Sequence, residues 1–178
     1  YFPSDVADHA RQVALRGKEL REAWNKEFEA WKNKNPERAA LLTRLMARTL
    51  PDGWDSALPD YPVDKEVATR KASGDVINAL ARQLPELFGG SSDLADSNNT
   101  TIEGGGSFLP ASSTMKNANP YGRIIHFGIR EHAMGSIMNG ISLHGLLRPF
   151  GGTFLVFSDY MRGAVRLSAL MNIPVTYV

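Results

Sequence analysis

Leu20, Trp24, Phe28 and Trp31 recur at spacings of four, four and three, with Lys, Arg and Glu between them. On a helix that spacing makes one apolar stripe, a pattern that core packing explains better than a cofactor box. The helical texture covers residues 1 to about 50 and is broken at Asn35-Pro36. Beyond the break, Leu41, Leu42, Leu45 and Met46 mark a second, shorter helix. "TLPDGWDSALPDYP", residues 49–62, then brings three prolines and a glycine, which predicts a linker.

After residue 62 helical and extended patterns alternate. "KEVATRKASGDVINALARQL" predicts a helix from about Asp64, whose side chain would cap it, to the residue before Pro85. "ELFGG" and "RIIHFG" read as short strands, residues 131–145 and 158–171 as helices flanking "RPFGGTFLVF", and "IPVTYV" at 173–178 as a final strand. This alternation predicts an α/β fold with a mostly parallel sheet. Residues 91–122, rich in Ser, Asn and Gly, form a connection long enough to suggest function. Ligands of open α/β sheets bind beyond the carboxyl ends of the strands, so "GGSSDL" and "FGIREH" point to one face.

Composition narrows the classes. The 178 residues are 43% hydrophobic and 22% charged, ordinary for a globular chain. A net charge of +1 with interleaved signs gives no footprint for nucleic acid. No run approaches the ~18 apolar residues of a membrane helix, so neither nucleic acid nor membrane is expected as a partner. The lack of cysteine removes disulfides, thiolate nucleophiles and cysteine metal sites, and suits a cytoplasmic setting. The opening "YFPSDVADHARQ", with neither an initiator Met nor a signal pattern, and an end inside an apolar strand suggest a segment of a longer or split protein.

The candidate chemistry reduces to a few positions. Neither GxGxxG nor GxxxxGK[ST] occurs, and Gly104 to Gly106 read as a flexible connection. His126, His132 and His144 lack zinc-site spacing, no GxSxG turn is present, and Met134, Met138, Met161 and Met171 read as packing. What remains is Glu131 at a strand-to-helix junction, where a carboxylate also complements the helix dipole and Arg130 is a natural ion-pair partner. With it stand the "SDL" turn and the aromatic series Phe154, Phe157 and Tyr160.

In order along the chain, "VATRKAS", "LFGGSSDLADSN", "HFGIREHAMGSIMNGISLHG" and "PFGGTFLVFSDYMRGAVRLSAL" resemble the pyrimidine-binding domain of the transketolase family. The likeness runs from about Val67 to Val178, and the preceding helices are similar to the stretch leading out of that family's diphosphate-binding domain. The resemblance implies two parts, a helical linker segment over 1–62 and the first part of a thiamine-diphosphate-binding (pyrimidine) domain over 63–178. It implies a transferase of the pentose phosphate pathway that moves a two-carbon ketol unit from a ketose phosphate to an aldose phosphate through a thiamine diphosphate carbanion.

In that family the glutamate matching Glu131 hydrogen-bonds N1′ of the aminopyrimidine and promotes loss of the thiazolium C2 proton, a task suited to a carboxyl that can share a proton. Phe154, Phe157 and Tyr160 match the aromatic pocket around that ring, and Asp93 matches an aspartate near the cofactor. Arg70 and Ser97 match residues holding the substrate phosphate, where a planar guanidinium fork is suited to the oxygens. The resemblance further implies a homodimer with the active site at the subunit interface, and Mg2+ or Ca2+ bound by the family's diphosphate-binding domain rather than by this segment. A related ketol transferase such as dihydroxyacetone synthase, and a non-catalytic transketolase-like interaction module, are the alternatives.

Overall fold

Phe150 and Gly151, neighbours on one strand, meet different helices, and this shows how the molecule is layered. In the computed structural model, which describes residues 2–178, Phe150 joins a core with Ile77, Ala81, Leu84, Leu87 and Ile102. A Cβ placed on Gly151 would lie 2.6 Å from the sulfur of Met138. Successive strand residues face opposite sides, so the sheet is covered by a helix on each face.

The sheet has six strands: β1 (Leu87–Ser91), β2 (Ser107–Phe108), β3 (Ala118–Asn119), β4 (Ile124–His126), β5 (Arg148–Gly152) and β6 (Thr176–Tyr177). Their order is β3-β2-β4-β1-β5-β6 and every pairing is parallel, as the alternating pattern predicts. β1 is central and buried throughout, pairing Gly90 with Ile125 on one side and with Gly151 on the other.

The described residues also form six α-helices: α1 (Ser4–Lys34), α2 (Pro36–Ala47), α3 (Thr69–Gln83), α4 (Ala95–Asn98), α5 (Glu131–His144) and α6 (Ser158–Leu170). Ile77 and Ala81 of α3 belong to the first core. Met134 and Met138 of α5 form the second with Phe127 and Met161 of α6. Three of the four methionines assigned to packing are thus buried; Met171 lies just past α6 and is 40% exposed.

The chain divides into two units, one up to Thr43 and one from Arg44. In the first, the expectation that the α1 stripe packs into a core is corrected. No residue of α1 is buried, and Leu20 and Trp24 are exposed. The rings cover one another instead: Trp24 stacks on Phe28 at 4.7 Å and Phe28 on Trp31 at 5.7 Å.

Two expectations in the second unit also change. α3 begins at Thr69, not near Asp64, and no side chain caps it. Residues 63–67 are all exposed, so no burial offsets the cost of helix nucleation there. The proline-rich stretch at 49–62 is a series of turns, and its Trp54 packs against the first core.

Candidate functional site

The carboxyl ends of β1 and β4 open onto a cleft of about 400 Å3. Ser91, Asp93 and Ser97 line it from the β1 side, and His126, Gly128 and Arg130 from the β4 side. The chain turns sharply on both sides. Asp93 adopts φ +62, a left-handed conformation that Asp tolerates better than most residues. Ser91 Oγ accepts the Leu94 N–H at 3.0 Å and so fixes the turn into α4, which carries Ser97. Across the cleft, Gly128 at φ +67 sends the chain from β4 into α5.

Glu131 is the first residue of α5 and is only 8% exposed. It stands at the positive end of the helix dipole, which favours a carboxylate. The expectation that Arg130 pairs with it is corrected, because the Arg130 guanidinium folds back to donate to Phe127 O at 3.1 Å. None of the ion pairs among the described residues involves Glu131.

The aromatic residues form a separate row where β5 leads through a 3-10 turn (Leu155–Phe157) into α6. Phe154 and Phe157 stack at 5.8 Å, and Phe157 and Tyr160 lie tilted at 6.1 Å. Phe154 and Tyr160 remain 41% and 68% exposed, so their faces are open to a planar ligand. The first turn of α5 packs against α6: a Cβ on Gly163 would lie 3.2 Å from the His132 ring. The helix that begins with Glu131 and the helix that carries Tyr160 are therefore neighbours.

Arg70 is exposed on the first turn of α3 and does not line the cleft. It takes part in none of the ion pairs among the described residues, whereas the adjacent Lys71 is paired with Asp75. That pair raises the Lys71 pKa and lowers that of Asp75, in both cases first through the hydrogen bond between them. The structure thus gathers Asp93 and Ser97 in one cleft, sets Glu131 and Tyr160 on two packed helices with Phe154 and Phe157 in the turn before the second, and leaves Arg70 on a third element.

His126 and Arg130 also line the cleft, although no site role was expected of them. His126 Nε2 is 2.9 Å from the buried Ser107 Oγ, a contact made by the two-residue β2 that the sequence pattern does not reveal. No group of three or more His, Cys, Asp or Glu among the described residues is arranged to hold a metal. No described helix is long and apolar enough to cross a membrane.

A flat heteroaromatic ring with a protonatable nitrogen fits this donor set, with aromatic faces to stack on and a buried carboxyl free to share a proton. The class to which this α/β domain belongs, that of thiamine-diphosphate-binding domains, is given by the comparisons. The family "Transketolase, pyrimidine binding domain" matches residues 65–178, and "Transketolase, thiamine diphosphate binding domain" matches residues 1–51. The chain belongs to the transketolase family. It is 59% identical over 177 residues to a transketolase of Mycobacterium tuberculosis, covering 98% of this chain and 25% of that one. With a transketolase of Geobacillus stearothermophilus it is 51% identical, covering 100% and 26%. A crystal structure of Pichia stipitis transketolase in complex with sedoheptulose-7-phosphate superimposes with a TM-score of 0.92 at 43% identity, covering 99% of this chain and 26% of that one. The chain spans about a quarter of the length of these relatives.

Proposed function

We propose that this chain supplies the pyrimidine-binding part of a transketolase, with residues 63–178 as the first part of that domain and 1–62 as the helical segment leading out of the diphosphate-binding domain, whose family model matches residues 1–51. The reaction is transfer of a two-carbon ketol unit from a ketose phosphate to an aldose phosphate. The observation that carries this reading is the buried Glu131, free of any ion pair, at the start of α5.

Bound thiamine diphosphate supplies the electron sink for making and breaking the ketol carbon–carbon bond. Glu131 shares a proton with N1′ of the aminopyrimidine. Phe154, Phe157 and Tyr160 hold the ring by stacking and edge contact, which also excludes water from it. Asp93 lies near the cofactor, while Arg70 and Ser97 bind the substrate phosphate. The sedoheptulose-7-phosphate and fructose-6-phosphate complexes of the Pichia stipitis enzyme support a sugar phosphate as substrate.

The complete site is assembled across a homodimer. Mg2+ or Ca2+ is held with the diphosphate by the family's other domain, and the setting is cytoplasmic. The test is a coupled ketol-transfer assay on the complete protein with thiamine diphosphate and Mg2+. Cofactor-dependent transfer between sugar phosphates supports the reading. Binding of a partner without turnover identifies an interaction module, and a preference for formaldehyde as acceptor identifies a dihydroxyacetone synthase.

A further inference from the structure

Arg70 lies on α3 and Ser97 on α4. What joins these elements is a set of asparagine contacts. Asn99, the residue that ends α4, adopts a left-handed backbone at φ +53 and turns its amide toward α3. Its Nδ2 donates to the carbonyl oxygen of Arg70 itself at 3.3 Å. One turn further along α3, a Cβ on Gly74 would lie 2.7 Å from Asn99 Cβ and 2.9 Å from its carbonyl oxygen, so the two elements approach as closely as glycine permits.

Asn78, a further turn along α3, completes the link. Its Nδ2 donates to Thr101 O at 3.1 Å, and its Oδ1 accepts the Glu103 N–H at 2.8 Å. One face of α3 is thus tied to residues 99–103 at three successive turns, through Arg70 O, Gly74 and Asn78. The contact at Arg70 is made to its backbone, which leaves the guanidinium free.

We infer that Asn99 and Asn78 are positioning residues that set the separation of Arg70 and Ser97, and through it the recognition of the substrate's phosphate. The inference rests on the phosphate-binding role proposed for Arg70 and Ser97. Loss of the Asn99 amide lets the first turn of α3 drift from α4. Phosphate oxygens bridging a guanidinium and a hydroxyl are sensitive to that spacing, whereas the ketol end of the substrate is held elsewhere.

The test is steady-state kinetics of the complete enzyme with a phosphorylated ketose donor and with an unphosphorylated ketol donor. Asn99→Gly is compatible with the left-handed turn and removes the side chain with its amide. It is expected to raise KM for the phosphorylated donor about fivefold, the factor that one net hydrogen bond is worth, with kcat unchanged. KM for the unphosphorylated donor stays the same. Asn99→Asp, which replaces the donor by an acceptor facing Arg70 O, is expected to behave alike, and Asn78→Ala to follow in the same direction. Arg70→Ala serves as the control. If it raises KM selectively for the phosphorylated donor while both Asn99 variants match wild type, the positioning role is overturned. Equal rises for both donors in the Asn99 variants also overturn it, since they indicate general loosening. If Arg70→Ala is itself unselective, the phosphate-binding reading falls instead.

Discussion

Glu86 offers a prediction whose size follows from its contacts. It lies just before β1, its side chain is 1% exposed, and Arg44 approaches it with both guanidinium nitrogens, at 2.7 and 2.9 Å. Arg148, which opens β5, is 3.5 Å away on the other side, and its backbone N–H donates to Glu86 O at 2.9 Å. Burial alone would raise the Glu86 pKa. The Arg44 hydrogen bonds, the backbone hydrogen bond and the charges of Arg44 and Arg148 outweigh burial and hold it below the ordinary 4.5. Glu86→Gln removes the charge while keeping the shape. Two charge-assisted hydrogen bonds are weakened, but Arg44 and Arg148 are 18% and 32% exposed and recover part of their hydration. The cost therefore falls below the full penalty of a stranded buried charge, at about 2–3 kcal/mol.

The pH dependence follows from the sign of the shift. A carboxyl whose pKa is lower in the folded state contributes its stabilisation above its unfolded pKa and loses it as pH falls through the folded value. Denaturant unfolding of the complete protein, for wild type and Glu86→Gln at pH 7 and at pH 3, reads both effects. The gap between the two proteins should be about 2–3 kcal/mol at pH 7 and narrow toward pH 3. A double-mutant cycle with Arg44→Met should return a coupling above about 1 kcal/mol. A gap that does not change with pH, or a coupling near zero, would refute the reasoning.

Further predictions concern the other face of the sheet and the cleft. Ser168 has one proton for two acceptors, Asn139 Oδ1 at 2.5 Å and Ala164 O at 3.0 Å, neither of which can donate, so the Tyr177 hydroxyl at 2.8 Å donates to Ser168. Ser168→Ala should cost about 1–3 kcal/mol, because it strands groups from α5 and β6, and a loss under about 0.5 kcal/mol by denaturant unfolding would contradict this network. Asp93→Gly relieves a left-handed backbone but adds freedom to the unfolded chain, so stability should change by less than about 1 kcal/mol. Calorimetric titration of the complete protein should nevertheless show weaker thiamine diphosphate binding; unaltered affinity would remove Asp93 from the cofactor site.

The long helices and the central strands were legible because their apolar positions repeat with the period of the element they form. α5 begins at Glu131 and α6 at Ser158, where the pattern sets them. The burial of Met134, Met138 and Met161 follows from the same spacing. β2 and β3 were not legible, since two residues each are too few to show a period, and their place is fixed by parallel pairing of β3 with β2 and of β2 with β4. The α1 stripe was read correctly as apolar and helical, but periodicity cannot say whether a partner layer is present. At the site, Glu131 begins α5 at the strand-to-helix junction that the sequence pattern marks. The guanidinium of Arg130 does not pair with it, because the positive φ of Gly128 exposes Phe127 O as a nearer acceptor than the carboxylate expected from sequence adjacency.

The central claim is that Glu131 promotes deprotonation of the cofactor, and the most direct measurement is the rate of hydrogen–deuterium exchange at thiazolium C2 of thiamine diphosphate bound to the complete protein. Glu131→Gln keeps the size of the side chain and removes its ability to share a proton. The account predicts exchange slowed by about a hundredfold or more, the range of a lost general acid–base group, with the fold unchanged by circular dichroism. Exchange as fast as in the wild type with the cofactor fully bound would contradict it.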